Sequence, residues 1–273
     1  MKQLNDQSTS IAKYHLLLLM LFLAFNIDAQ DRILPLSLGW EFRKANSSDE
    51  WLMATIPGTV HTDLYNNGKI PDPFSGCNNT NLGWIDDTSW EYLLKLKLDK
   101  DLFKNKHVEL VFEGLDTYAE VYLNDTLVLN ADNMFRKWVV SCDKLLKQGE
   151  NRIKVVFKSA VNEVSRKSKE LPYTLPGGEW AWVRKSPYHF GWDWGPRFVT
   201  CGIWKPVYLQ SWRDITIKDI QVKTDSIYRD KAFLTANISI ASARFQHINI
   251  KVLDGDKVYG KMKARVGSGS NRI

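Results

Sequence analysis

The 273-residue sequence predicts an all-β protein: a β-sandwich followed by the beginning of a second one. Three observations carry this. From about Trp40 onward apolar and polar residues alternate with period two, which places successive side chains on opposite faces of a sheet. The alternating runs are short and separated by turn chemistry, such as Asn124-Asp125 and Gly149-Glu150-Asn151. Only Val60 to Asn67 reads as a helix, with Thr59 as N-cap and Gly68 as its stop.

Taken in order, residues 1–29 read as a signal peptide. Lys2 and Lys13 precede ten apolar residues, Leu16 to Phe25, and a short polar stretch ends at Ala29. A bilayer core needs about 20 apolar residues, so no retained anchor is expected. Tyr92, Leu94, Leu96 and Leu98 alternate with Glu91, Leu93, Lys95 and Lys97, and Val108, Leu110 and Phe112 alternate with His107, Glu109 and Val111. Both are half-buried strands; more are expected at Ala119 to Leu123, Ile153 to Phe157 and Val207 to Leu209. Alternation fails over Ile70 to Trp90 and Ser159 to Trp194, where Pro, Gly, Asn and Trp mark long ordered loops of the kind that carry function or cover a core.

A new set of strands starts near Asp214, with Ile215 and Ile217, then Leu234 to Ile240 and Ile248 to Val252. The domains are therefore drawn as residues 30–212 and 213–273. The second is short of the roughly 100 residues of an immunoglobulin-like sandwich, so the chain reads as truncated. Gly267-Ser268-Gly269-Ser270 offers no folded closure, and the tail is expected to be loosely held.

Hydrophobic residues make up 44% and charged residues 25%, which excludes disorder and multiple membrane spans. The net charge of +6 is diffuse, without the basic stripe that nucleic acid requires. Cys77, Cys142 and Cys201 form no metal spacing and read as buried free thiols or one disulfide plus a free thiol. No cofactor is expected. Sequons at Asn46, Asn78, Asn124 and Asn237 matter only in a host that glycosylates exported proteins.

Eleven tryptophans suit either an aromatic core or a surface that grips sugars. The most informative segment is Phe190-Gly191-Trp192-Asp193-Trp194-Gly195-Pro196-Arg197. A pyranose has weakly apolar C–H faces that pack on rings, and hydroxyls that donate to a fixed carboxylate. Two core rings with Asp193 capping backbone N–H groups is the structural alternative. His61 beside Asp63 lacks a serine elbow or third partner and reads as a helix-surface pair; His189 reads as a satisfied hydrogen-bonding residue. Asp86, Asp87 and Asp116 read as solvated or turn carboxylates.

This segment resembles the β-mannosidases of glycoside hydrolase family 2. Pro57-Gly58-Thr59-Val60-His61-Thr62-Asp63-Leu64, Ile70-Pro71-Asp72-Pro73-Phe74, Phe112-Glu113-Gly114-Leu115-Asp116-Thr117-Tyr118-Ala119 and Asp132-Asn133-Met134-Phe135-Arg136 look like the same group, in order, from about Trp40 to Trp212. The resemblance implies a jelly-roll, galactose-binding-like sandwich, then an immunoglobulin-like domain. A catalytic (β/α)8 barrel, missing here, would hold both glutamates of a retaining mechanism. It implies that Trp192, Asp193 and Trp194 bind the terminal mannose of a β-mannoside oligosaccharide at the barrel's active site, and that none of these residues is the acid, base or nucleophile. Arg184 is expected to brace the loop through a salt bridge, and Asn133 to Arg136 to pack at a strand edge. The leader at residues 1–29 makes export the expectation: periplasmic or secreted in a bacterium, lysosomal in an animal. Two alternatives stand beside it, a stand-alone carbohydrate-binding module and another family-2 specificity.

Overall fold

The protein is described by a computed structural model over residues 32–273, apart from 171, 174, 229, 230 and 255. The expected signal peptide at 1–29 lies outside the described residues. Six strands make the larger sheet: β2 (Trp40–Lys44), β3 (Leu52–Met53), β4 (Trp90–Leu98), β6 (Tyr118–Leu123), β7 (Thr126–Asp132) and β9 (Gly149–Phe157). Their spatial order is β3-β2-β4-β9-β6-β7. The smaller sheet has β1 (Arg32–Pro35), β10 (Val207–Trp212), β5 (His107–Phe112) and β8 (Trp138–Ser141), in the order β1-β10-β5-β8. Every pairing in both is antiparallel.

The two sheets share one core. Trp40, Phe42, Tyr92, Leu94, Val121, Ile153, Val155 and Phe157 from the larger sheet join Val108, Leu110, Phe112, Val207 and Leu209 from the smaller in a single buried cluster. In β9 residues 151, 153, 155 and 157 are buried in strict alternation, so one apolar face and one wet face define the register. β9 begins earlier than expected. Asn151, read as a turn residue, is the third residue of the strand and closes the preceding turn, donating to Lys147 O at 2.7 Å and Gly149 O at 2.9 Å. The Asn124-Asp125 turn is as expected: both residues have positive φ, 47° and 68°, and join β6 to β7 as a tight hairpin.

The helix α1 (Val60–Asn66) forms where expected, but the Thr59 hydroxyl contacts Thr62 Oγ1 and makes no N-cap bond to the backbone. A second helix, α2 (Ala160–Ser168), occupies part of the segment read as loop. Its signals were present in the sequence. Ser159 accepts from Asn162 N–H at 3.1 Å as an N-cap, Ala160 and Val164 share the buried face, and Arg166 pairs with Glu163 and Glu170 on the wet face.

Beyond β10, the long hairpin β11 (Ile215–Tyr228) and β12 (Lys231–Ser242) pairs with β15 (Gly269–Arg272), and β13 (Gln246–Asp254) pairs with β14 (Lys257–Val266). The expected absence of closure at residues 267–270 is corrected here. β15 adds to β12 from Ser239–Arg272 to Ser242–Gly269, and the Asn271 side chain bridges Gly267 N–H and O, at 2.8 and 2.9 Å. Side-chain amide chemistry closes a turn that composition marked as loose.

The pair read as lying on the α1 surface is in fact interior: Asp63 is 0% and His61 8% exposed. Asp63 accepts from Thr55 N–H at 2.8 Å and from the Tyr92 hydroxyl at 3.0 Å, tying α1 to β4. Burial pushes its carboxyl up from 3.8 to about 6, against those two hydrogen bonds. The folded chain therefore holds this proton more tightly than the unfolded chain. Asp63 contributes stability that is complete below the unfolded value and is lost as pH rises through about 6. In Asp63→Asn that contribution is gone. The stability gap favouring the parent should be wider at pH 4 than at pH 7 by about 2 kcal/mol, read by urea unfolding at each pH. A gap independent of pH would contradict the assigned shift.

Candidate functional site

The loop between α2 and β10 turns back on itself at Trp192-Asp193-Trp194-Gly195. Trp192 N–H donates to Gly195 O and Gly195 N–H donates to Trp192 O, both at 3.1 Å, which closes a tight turn with Asp193 and Trp194 at its tip. Gly191 enters that turn at φ +96°, a left-handed conformation that favours glycine. A second rung, Phe198 N–H to His189 O at 3.0 Å, continues the hairpin toward its root.

The tip is open. Trp194 is 83% and Trp192 45% exposed, their ring centroids 5.8 Å apart and the planes inclined at 62°. Asp193 is exposed and has no hydrogen bond or ion pair among the described residues. The alternative of two core rings with a capping carboxylate is thereby set aside. The core tryptophans are others: Trp40, Trp90 and Trp212.

The arms of the loop are fastened by charge. Arg197 lies 3.3 Å from Asp86 Oδ2 and 2.8 Å from Glu179 Oε2, with its guanidinium 5.6 Å from the Phe190 ring centroid. Asp86 is not a solvated carboxylate; burial pushes it up to about 6 even with Arg197 opposing. Asp116 is likewise buried, at 1% exposure, and receives the Lys185 ammonium at 2.6 and 2.5 Å. Sequence reasoning placed the brace one residue early. Arg184 is exposed, forms no ion pair among the described residues, and contributes its carbonyl, which accepts from Met134 N–H at 3.0 Å. Of the stretch Asn133 to Arg136, expected to pack at a strand edge, Met134 packs, in the turn after β7: it is 3% exposed, its sulfur accepts from Ser186 N–H and its carbonyl accepts from the Trp204 indole, whereas Phe135 is exposed.

Beside the loop root lies a cleft of about 390 Å³ lined by His61, Phe74, Tyr188, His189, Pro196 and Phe198, among others. Among the described residues both ring nitrogens of His61 and Nδ1 of His189 are buried without hydrogen-bond partners; His189 Nδ1 lies 3.8 Å from Asp116 Oδ2, so this ring is less satisfied than expected. Burial first, then the Lys185 cation, lowers each to about 4. Both rings are neutral at pH 7. The expectation of buried thiols also needs correction: Cys142 is buried, Cys201 half-buried and Cys77 exposed, all three free. Among the described residues no cluster suits a metal and no helix is long and apolar enough to cross a membrane.

What the tip offers is a carboxylate between two rings, held on a braced hairpin. That chemistry suits a molecule with apolar faces and hydroxyls. It also predicts opposite effects of two ring deletions. Trp194→Ala should leave stability within about 0.5 kcal/mol of the parent, whereas Trp90→Ala in β4 should cost about 3–5 kcal/mol, both by chemical unfolding. Equal costs would mean that Trp194 is a packing residue.

Residues 40–205 match the family described as glycosyl hydrolase 2 galactose-binding domain-like. The chain is 33% identical over 241 residues to beta-mannosidase B of Thermothelomyces thermophilus, covering 83% of this chain and 27% of that protein. It is 34% identical over 240 residues to the beta-mannosidase of Bos taurus, again covering 83% and 27%. Among solved structures, the beta-D-mannosidase from Dictyoglomus thermophilum superposes with a TM-score of 0.78 at 33% identity, covering 89% of this chain and 30% of that one. An exo-chitosanase from Amycolatopsis orientalis shares the fold, with a TM-score of 0.66 at 18% identity. The chain thus spans about 27–30% of the length of these β-mannosidases. Through a match that takes in most of its sandwich, the chain belongs to the glycosyl hydrolase 2 family and carries that family's galactose-binding-like domain.

Proposed function

We propose that this chain is the N-terminal, substrate-site-shaping part of a retaining exo-β-mannosidase that removes terminal non-reducing β-D-mannose. The observation that carries the reading is the tip: an exposed, unpaired carboxylate between two exposed rings, on a loop whose arms are locked by ion pairs. A surface whose free carboxylate is aimed by one buried ion pair, Lys185–Asp116, and one half-exposed pair, Arg197–Asp86, is suited to meeting a ligand. The relatives support the glycoside, since those at 33–34% identity are β-mannosidases.

In this reading Asp193 accepts hydroxyl hydrogen bonds from the terminal mannose while Trp192 and Trp194 wall the ring. Such contacts accelerate the reaction when they tighten as the sugar flattens toward the oxocarbenium-like transition state. The nucleophile and the acid-base group belong to a (β/α)8 barrel in the longer protein, so the present stretch alone has no turnover. Residues 30–212 and 213–273 are the sugar-binding and the immunoglobulin-like domains, and the protein is exported after cleavage near Ala29.

The test uses the protein expressed at the full length its gene encodes, on nitrophenyl β-mannoside, with the β-galactoside and β-glucosaminide as controls. Asp193→Ala should lower kcat/KM about 10- to 100-fold, the loss of a hydrogen bond to a charged group, with an unchanged melting temperature. A parent without β-mannoside turnover, or a variant with unaltered kcat/KM, would sink the proposal.

A further inference from the structure

We propose that Lys185 is the positioning residue that aims the Trp192-Asp193-Trp194 tip, acting as a three-way pin at the loop root. The inference rests on the reading that the tip meets substrate, and it assigns the residue that sets where the tip points.

A lysine ammonium has three donors. Those of Lys185 go to Asp116 Oδ1 at 2.6 Å, Asp116 Oδ2 at 2.5 Å and the Thr200 carbonyl at 2.7 Å. Lys185 and Thr200 flank the hairpin that carries the tip, so one cation ties both of its ends and Asp116 together. The Asp116 backbone adds a second tie just beyond Thr200, exchanging hydrogen bonds with Gly202 at 3.0 and 3.1 Å, while the Thr117 hydroxyl donates to Oδ1. The side chains of Lys185 and Asp116 are 0% and 1% exposed, so no water competes for these bonds.

Stability alone does not account for the arrangement. A buried ion pair gains little or nothing over two well-packed apolar side chains of similar volume. What apolar packing lacks is direction: three short hydrogen bonds fix the separation and angle of two chain positions, and packing fixes them only loosely. Asp86 and Arg197 hold the downstream arm nearer the tip, which leaves the root to Lys185. Lys185 touches neither Trp192, Asp193 nor Trp194 through any of its hydrogen bonds, so it acts through the backbone.

The experiment compares the parent with K185M/D116L, which removes both charges together, and with D116N, which keeps the shape of the carboxyl. Two readouts are taken on each: the melting temperature, and the rate of tryptic cleavage after Arg197 relative to cleavage after Lys95 in β4. Local loosening without global unfolding is the expected result. The double variant should melt within about 4 °C of the parent while cleavage after Arg197 accelerates at least about tenfold over that after Lys95. If the double variant does not fold, D116N alone decides, with the same ratio. In the full-length protein the loosened variant should lose kcat/KM on nitrophenyl β-mannoside by about tenfold or more.

An unchanged cleavage ratio would overturn the proposal, because the pair would then be packing only. So would equal acceleration at Lys95, which reports a global role, or a loosened loop with unaltered kcat/KM in a protein whose kcat/KM Asp193→Ala does lower. Asp193→Ala separates this from the underlying reading: if it is inert while the Lys185 variants loosen the loop, the pin stands as geometry and the substrate role of the tip falls.

Discussion

A carboxylate removed from water must be met by a cation or by donors, and in this molecule that requirement, at Asp116, organises everything on the loop side of the sandwich. Asp116 follows β5 and the tight Glu113-Gly114 corner, where a Cβ on Gly114 would lie 2.5 Å from the Trp204 indole. Its main chain pairs with Gly202, and Gly202 in turn runs against the segment that starts α1. A Cβ there would lie 2.6 Å from Gly58 O, while Gly58 N–H donates to Ile203 O and Val60 N–H to Cys201 O. Residues 200–204 are thus threaded between Asp116 and the N-terminus of α1. Losing the pairing of Asp116 would leave a buried charge at the crossing point of three chain segments.

The same requirement explains why the titrating groups here are quiet. Two imidazoles lie close to a lysine cation, and both are held neutral by burial and by that cation. Asp63 and Asp86 shift the opposite way, each to about 6, for want of solvent. Acidification from pH 6.5 to 4 therefore costs stability at His61 and His189 while Asp63 and Asp86 return part of it. The charge pattern under the loop stays nearly constant at neutral pH although four buried groups could change it.

Much of the fold was legible because a sheet with one wet face writes itself into the chain with period two. Tyr92, Leu94, Val108, Leu110 and Ile153 announced their strands, and Asn124-Asp125 announced its turn through the positive φ that such residues tolerate. α2 was missed because its buried face rests on Ala160 and Val164, two small side chains in a polar stretch, whereas its Ser159 cap was the better signal. The tip was legible too, since a carboxylate between two tryptophans is rare chemistry. Its anchors were not. Asp116, Asp86, His61 and Lys185 are ordinary polar residues in sequence, and only tertiary contact makes them interior; no periodicity distinguishes a buried lysine from a wet one. Closure at residues 269–272 was equally hidden, since Asn271 acts through its amide rather than through any apolar pattern.

The clamp at the root joins residues 69 positions apart in the chain, and the apolar residues of the hairpin it holds, Phe190, Phe198 and Val199, pack onto clusters built by the rest of the sandwich and α2. Contacts of such long range form late, after the loop-closure entropy has been met by other strands. The hairpin that carries Trp192, Asp193 and Trp194 therefore depends on a finished sandwich, and a weakened β4 or β9 loosens the clamp that holds it. Damage deep in the core is thus felt at the exposed tip, through its root.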